Sequence, residues 1–133
     1  MRITIFFDTG VMSLYLSGNK NLQDDIRSKL KKNYRFISSE LNYIELFSHV
    51  CKKKGKVNAQ VILENLRREY GIQFTSLTEK ISILAGELKC KYSNLSMVDS
   101  VIIAEVLTRN LTLYTTESGF DEIENLKVKK IDF

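Results

Sequence analysis

Blocks of apolar residues separated by polar ones run along the whole chain, and their spacing predicts strands and helices in alternation. Short apolar or alternating runs predict strands at residues 2–7, 35–37, 72–74, 111–114 and 127–131. Between them, apolar residues recur every three or four positions, as on one face of a helix. The predicted helices cover residues 9–17, a stretch marked by Leu22, Ile26 and Leu30, a stretch from Ser38 or Ser39 to about Lys53, one that Asn58 caps, one that Thr78 caps, and one around Asp99 that ends near Asn110.

This alternation predicts the fold class. It favours a three-layer α/β/α sandwich whose central sheet is mostly parallel and covered by helices on both faces. In such sheets, ligands bind beyond the carboxyl ends of the strands. At 133 residues, the chain is expected to form a single domain that spans residues 1–133.

One acidic residue, Asp99, stands on a helical face that is otherwise apolar. At helical spacing it shares this face with Ile102, Ile103 and Val106. An ionised carboxylate in such a place costs several kcal/mol unless a partner such as a metal cation compensates it. Ser96 and Asp99 also match the capping-box pattern, in which the acid binds back to the start of the helix. The residues alone leave a metal ligand and a helix cap as open alternatives.

Three further acids are predicted to lie near Asp99. Asp8 ends the first strand, Glu45 lies in the helix after the second, and Glu117 follows the strand at 111–114. Right-handed crossovers bring these ends to one edge of the sheet, where crowded carboxylates repel each other and oxygen ligands favour Mg²⁺ or Mn²⁺. Each acid has a simpler alternative: Asp8 as a helix cap, Glu45 on a solvated face and Glu117 in a polar turn.

The helix predicted around Glu45 has one apolar and one polar face. Its apolar arc consists of Tyr43, Ile44, Leu46, Phe47, Val50 and Cys51. The opposite face, which includes Glu45, consists of Asn42, Ser48, His49 and Lys52. We expect this polar face to be solvated, with the only histidine of the chain at the surface.

Charge and cysteine content narrow the function classes. The chain carries 20 Lys and Arg against 16 Asp and Glu, a net charge of +4. Basic residues cluster at 29–35, 52–56, 67–68 and 127–130. Together they favour a polyanionic partner such as nucleic acid. No apolar run is long enough to span a membrane, the start of the chain shows no signal-peptide pattern, and Cys51 and Cys90 form no metal or disulfide motif, so we expect a cytoplasmic protein.

Four short motifs follow one another in an order that is typical of one family. They are Phe7-Asp8-Thr9-Gly10-Val11, the stretch from Ser39 to Leu46, the stretch from Ala85 to Ala104, and Tyr114-Thr115-Thr116-Glu117-Ser118-Gly119-Phe120. No single motif is specific. In this order and at this spacing, they make the whole chain resemble the PIN-domain family, and most of all the small VapC-type ribonuclease toxins of VapBC toxin–antitoxin systems.

The resemblance implies a metal-dependent endoribonuclease that hydrolyses RNA phosphodiester bonds. The catalytic and metal-binding residues that it implies are Asp8, Glu45, Asp99 and Glu117, with Mg²⁺ or Mn²⁺ as the cofactor. It selects Glu45 over Glu40, which periodicity alone does not, and it gives Thr115 the role of positioning a water or a carboxylate. It also implies an antitoxin protein as a possible partner and a homodimer as the assembly.

Several positions depart from the family pattern. Gly10 stands where Asn is usual, Asn42 replaces a common Thr, and Glu117 occupies the fourth-acid position where Asp is usual. Gly119 takes a place often held by another Asp, so Asp121 is the alternative fourth acid. A weakly catalytic PIN fold for RNA binding or assembly, and a housekeeping RNA-processing nuclease, stay open as alternatives. A phosphatase of the haloacid-dehalogenase type would need Asp-x-Asp after the first strand, which is absent here.

Overall fold

A five-stranded sheet in which every neighbouring pair is parallel forms the centre of the computed structural model, which describes residues 2–132. The strands are β1 (Thr4–Phe7), β2 (Arg35–Ser39), β3 (Gln73–Thr75), β4 (Thr112–Thr115) and β5 (Lys127–Lys130), in the order β3-β2-β1-β4-β5. All five predicted strands are present, with ends shifted by one or two residues. Positions 1 and 133 of the predicted domain lie outside the described residues.

Six α-helices and one 3₁₀ helix connect the strands within residues 2–132. They are α1 (Thr9–Leu16), α2 (Lys20–Lys31), α3 (Glu40–Lys54), α4 (Lys56–Tyr70), α5 (Glu79–Lys91), α6 (Met97–Arg109) and the 3₁₀ helix Phe120–Glu122. The prediction that Asn58 caps α4 was wrong. Gly55, at a φ of 86°, ends α3 and opens α4 directly, while the Asn58 side chain donates to the Lys54 carbonyl at 2.7 Å. None of these helices combines the length and apolarity needed to cross a membrane.

Two separate apolar clusters cover the two faces of the sheet, which confirms the three-layer α/β/α architecture. Helices α1 to α4 pack on one face, where the rings of Phe7 and Phe36 stack with centroids 4.8 Å apart. Helices α5 and α6 pack on the other face, against Phe6, Ile37 and Leu113. Neighbouring residues of a strand, such as Phe6 and Phe7, therefore serve opposite layers, as a parallel sheet buried on both sides requires.

The buried side of α3 differs from the predicted apolar arc. Asn42, expected on the solvated face, is fully buried, while Ile44, expected in the core, is 62% exposed. The buried stripe runs through Asn42, Leu46 and Val50, which stand four residues apart on one side of the helix. Asn42 tolerates this burial because both of its amide atoms make hydrogen bonds.

Serine caps fix where the helix after β2 and the helix before β4 begin. Ser39 forms a complete capping box with Asn42 at the start of α3. The hydroxyl of Ser96 accepts a hydrogen bond from the Asp99 backbone N–H at 3.0 Å and so opens α6. These caps place the first turns of both helices at the carboxyl edge of the sheet, where the predicted acids lie.

Candidate active site

The ends of β1 and β4 bring Asp8 and Thr115 together at the carboxyl edge of the sheet. The Asp8 backbone N–H continues the ladder by donating to the Tyr114 carbonyl at 3.0 Å. The Thr115 hydroxyl then donates to Asp8 Oδ2 at 2.6 Å, and both side chains are buried. Thr115 thus positions a carboxylate, as expected. The Glu117 backbone N–H donates to the same hydroxyl at 3.1 Å, which ties the turn after β4 to Asp8.

Helix capping does not account for Asp8. The residue occupies the N-cap position of α1, yet its side chain makes no capping hydrogen bond. Burial raises the pKa of its carboxyl group, the charges of Asp99 and Glu45 raise it further, and hydrogen bonds from Thr115 and the Thr9 backbone oppose the shift. A buried carboxylate with two other acids within electrostatic reach is costly as a cap alone and is suited to binding a cation.

A chain of side-chain hydrogen bonds orients Glu45. The Thr9 hydroxyl donates to Glu45 Oε1 at 2.7 Å and accepts from Asn42 Nδ2 at 2.9 Å. Asn42 Oδ1 in turn accepts from the Ser39 hydroxyl at 2.8 Å. Although Glu45 is exposed, its carboxylate is therefore anchored to the segment that follows Asp8.

Glu40, the other acid at the start of α3, belongs to a different neighbourhood. Its carboxylate accepts from the Ser76 hydroxyl at 3.2 Å, in the loop between β3 and α5. His49, one turn beyond Glu45, is exposed, as the sequence predicted. The geometry thus agrees with the choice of Glu45 over Glu40 that the family resemblance made.

Asp99 lies in the first turn of α6, half-buried above a core stripe. Ile102, Ile103 and Val106 of the same helix are almost completely buried. Burial raises the pKa of the Asp99 carboxyl group, hydrogen bonding by Ser96 opposes this, and the charge of Glu45 adds to the increase. The capping and metal-ligand alternatives are therefore compatible, because Asp99 makes hydrogen bonds with Ser96 at the helix start and its carboxyl group also interacts with the charge of Glu45.

Glu117 completes the group of four acids. Although the residue is largely exposed, desolvation of its carboxyl group and then the charges of Asp8, Asp99 and Glu45 raise its pKa to about 7. Asp121, the alternative fourth acid, is exposed in the 3₁₀ helix and is not among the charges that raise the pKa of Glu117 or Asp99. Charge interactions therefore link Glu117 with Asp8, Glu45 and Asp99.

The donor set suits a hard divalent cation, although the ligands are not closed around one point. Within residues 2–132, no three His, Cys, Asp or Glu side chains stand close enough together to hold one ion. The available donors are carboxylate and hydroxyl oxygens, which Mg²⁺ and Mn²⁺ prefer. Mg²⁺ characteristically keeps several of its waters and uses one or two carboxylates. Acids that raise one another's pKa without closing into a cage fit such an ion.

Sequence reasoning missed the residues that orient the acids. Thr9 and Asn42 were not predicted to act in the site, although the Ser-x-x-Asn spacing of the Ser39–Asn42 capping box was visible in the sequence. The contact between Gly10 and Thr116 had no local signal. A Cβ atom on Gly10 would lie only 2.1 Å from the Thr116 hydroxyl oxygen, so glycine at this position allows the Asp8 and Glu117 segments to meet.

Comparisons with known proteins agree with this geometry. A family model described as "PIN domain" matches residues 5–126, whereas no curated protein matches the chain. Similar solved structures include VapBC2 from Rickettsia felis bound to a DNA fragment from its promoter, with a TM-score of 0.82 at 20% identity over 96% of this chain and 98% of that one. A toxin–antitoxin complex from Klebsiella pneumoniae gives 0.72 at 17% identity over 96% and 99%. VapC20 of Mycobacterium tuberculosis, a sarcin–ricin-loop-cleaving toxin, gives 0.67 at 17% identity over 92% and 98%.

The raised pKa of Glu117 predicts that the metal-free protein loses stability as the pH rises. Its folded-state pKa of about 7 lies above the usual value of 4.5, so the folded state favours the protonated acid. The resulting stabilisation is complete below pH ~4.5 and is lost as the pH rises through ~7. In urea unfolding with EDTA, the free energy of unfolding of the Glu117→Gln variant should therefore increase relative to that of wild type as the pH rises from ~4.5 to ~7. Glu122→Gln is the matched control. A difference in unfolding free energy between wild type and Glu117→Gln that does not change with pH would contradict the prediction.

The tight approach of Gly10 to Thr116 predicts a coupled pair of substitutions. Gly10→Ala should destabilise the protein by about 1–3 kcal/mol, because the new methyl group overlaps the Thr116 hydroxyl. Thr116→Ala removes that hydroxyl, so the double variant should recover most of the loss. Urea unfolding of the four proteins in a double-mutant cycle measures this coupling. If the effects of Gly10→Ala and Thr116→Ala on the free energy of unfolding are strictly additive, contact with Thr116 is not what destabilises a side chain at position 10.

Proposed function

The chain belongs to the PIN-domain family, and we propose that it is a metal-dependent ribonuclease and the toxin of a toxin–antitoxin pair. The observation that carries the proposal is the grouping of Asp8, Glu45, Asp99 and Glu117 at one edge of the sheet. Burial, and then the charges of neighbouring acids in the group, raise the pKa values of Asp8, Asp99 and Glu117. The solved structures that resemble this chain include toxin–antitoxin complexes and a sarcin–ricin-loop-cleaving toxin. Phosphodiester hydrolysis is the chemistry that joins these observations.

The four acids would provide the carboxylates that hold Mg²⁺ or Mn²⁺, and each acid comes from a different part of the fold: the end of β1, α3, α6 and the turn after β4. Asp8 is fixed by Thr115, Glu45 by Thr9, and Asp99 by the Ser96 cap. When bound, the cation supplies charge stabilisation at the phosphate and lowers the pKa of water. The protein's own contribution is to hold the carboxylate oxygens in place before the substrate arrives, so that little reorganisation accompanies the reaction.

The charge distribution supports RNA as the substrate. Four of the 16 acidic residues are concentrated in the site, while 20 Lys and Arg are spread over the chain. Several of these cations lie at element ends that are exposed to solvent, such as Lys52, Lys53 and Lys54 in the last turn of α3. Exposed cations on a chain with a net charge of +4 attract a polyanion without reading its sequence.

An antitoxin is the proposed protein partner. The toxin–antitoxin neighbours are complexes with such partners, and this chain has a groove of about 310 Å³ between α1, α3 and α4. Leu16, Val50 and Ile62 give the groove an apolar lining, and Lys53 and Lys54 flank it. An amphipathic segment with acidic residues at its margins would complement this surface.

A second candidate function is RNA binding without cleavage. The observation that favours it is that, in the described part of the chain, no three carboxylates are arranged around one point. Glu117 in place of the usual Asp points the same way, because a longer side chain changes the ligand geometry. The two candidate functions differ in a single measurable property, which is turnover in the presence of metal.

Replacing Asp99 by Asn separates the ribonuclease from the binding module. The change nearly preserves shape but removes a charge that would hold the cation. Cleavage of single-stranded RNA in Mg²⁺ or Mn²⁺ should fall roughly 100-fold or more, since metal activation contributes several kcal/mol of transition-state stabilisation. Gel analysis of a labelled RNA measures the rate.

Asp24→Asn, an exposed acid of α2, is the matched control and should cleave as wild type does. Glu117→Gln and Asp121→Asn in the same assay identify the fourth acid, and we expect only the former to lose activity. Wild-type protein that binds RNA but never cleaves it in either metal would favour the binding module. Full activity of Asp99→Asn would contradict the metal role of this residue.

The toxin proposal predicts a growth phenotype that depends on the same carboxylate. Induced expression of the wild-type chain in a bacterial host without its antitoxin should arrest growth, because uncontrolled RNA cleavage stops protein synthesis. The Asp99→Asn variant should accumulate without arrest, and Asp24→Asn should arrest growth as wild type does. Optical density after induction, with protein levels compared by immunoblot, is the measurement. Wild-type growth at equal protein level, in a host in which the purified enzyme cleaves the extracted RNA, would argue for a housekeeping nuclease.

A further inference from the structure

An open groove of about 680 Å³ runs along the outer edge of β3, away from the four acids. Two arginines from different helices line it, Arg67 of α4 and Arg109 at the end of α6. Its floor is β3 itself, with Gln73 and Thr75 at the two ends of the strand. We call this surface the β3 groove.

A buried acid beneath the β3 groove holds Arg109 in one orientation. Glu105 is 1% exposed, and its Oε2 accepts from Arg109 Nε at 2.9 Å. Its Oε1 accepts from the Thr75 hydroxyl at 3.2 Å, so the carboxylate links α6 to the floor of the groove. Because Nε makes this bond and the Arg109 side chain is half-exposed, the two terminal nitrogens of the guanidinium remain available to a ligand in the groove.

Aromatic rings hold the second arginine. The Arg67 guanidinium carbon lies 5.3 Å from the ring centre of Tyr43 and 5.5 Å from that of Phe74. No ion pair to Arg67 is formed among residues 2–132, whereas its neighbour Arg68 approaches Glu64 at 3.6 Å and does not line the groove. Contacts with the two rings therefore localise the Arg67 guanidinium beside the groove, and within residues 2–132 no salt bridge neutralises its N–H donors.

We propose that the β3 groove binds the sugar–phosphate backbone of the RNA strand whose cleavage is the proposed function, on which this inference rests. Pre-oriented guanidinium groups match phosphate oxygens in geometry and charge, and an arginine plane also provides a surface on which a base can stack. An added β-strand from a protein partner fits less well, because β3 offers only three residues for pairing.

The register of the sheet connects this groove with the acids. Thr75 pairs with Ser39 of β2, and the β1–β2 register, in which Phe6 pairs with Ile37, places Asp8 beside Ser39 when continued by two residues. Thr75 and Asp8 are therefore two strands apart, about 10 Å at the usual strand spacing. One extended RNA strand can reach from the acids into the groove, which would bind nucleotides next to the cleavage position.

The test compares two adjacent arginines of α4. Binding of a short fluorescently labelled oligouridylate is measured by anisotropy in EDTA, over a range of salt concentrations, so that affinity is separated from cleavage. Arg67→Gln should weaken binding roughly tenfold and reduce the salt slope by about 0.7. Arg68→Gln removes the same charge one residue away and should have a much smaller effect. Melting temperatures check that both variants fold.

A second variant examines the other side of the groove without leaving a buried acid unpaired. In Glu105→Gln combined with Arg109→Gln, both charges are removed, and RNA affinity should again fall while the protein stays folded. Equal RNA affinities of Arg67→Gln and Arg68→Gln would overturn the proposal. So would wild-type affinity of both Arg67→Gln and the Glu105→Gln/Arg109→Gln double variant, a result that would favour an acidic protein partner for the groove. Selective loss in Arg67→Gln supports it even if wild type shows no cleavage, in which case only the proposed nuclease function fails.

Discussion

The placement of acidic side chains at the carboxyl edge of a parallel sheet, where burial and neighbouring negative charges both disfavour ionisation, is the constraint on which the surrounding structure depends. Burial alone already disfavours the charged forms of Asp8 and Asp99, and each of them also senses the charge of Glu45. The fold holds the acids together with hydrogen bonds that favour the charged state, chiefly those from Thr115 and Ser96. The hydroxyl-bearing residues at the strand and helix ends thus make the acidic site compatible with folding.

These stabilising bonds come from the same backbone features that define the fold. Thr115 ends β4, so its position follows from the pairing of β1 with β4. Ser39 ends β2 and caps α3, and through Asn42 and Thr9 it also fixes Glu45. Because each support is part of a strand end or a cap, the geometry of the site and the register of the sheet cannot change independently.

The alternation of strands and helices was sufficient to predict the parallel three-layer architecture. Helical periodicity failed on α3, where it put Asn42 in solvent and Ile44 in the core, because burial of an amide depends on partners that lie 33 residues away, such as Thr9. The contact of Gly10 with Thr116 is non-local in the same sense. Local patterns identify elements, whereas hydrogen-bond partners from other elements decide which polar residues are buried.

Acidic and basic side chains are separated between two regions of the molecule, the group of four acids and the β3 groove with its two arginines. On the proposed function, the acids at the ends of β1 and β4 would repel RNA until a cation is bound, while the arginines beside β3 would attract the RNA. A nucleic acid strand approaching in the absence of metal should therefore be held at the β3 edge first and enter the acid cluster only when the cation neutralises it. In this arrangement Glu105 has a function distinct from that of the four site acids. It is buried and paired with Arg109, so it orients the guanidinium group of that residue.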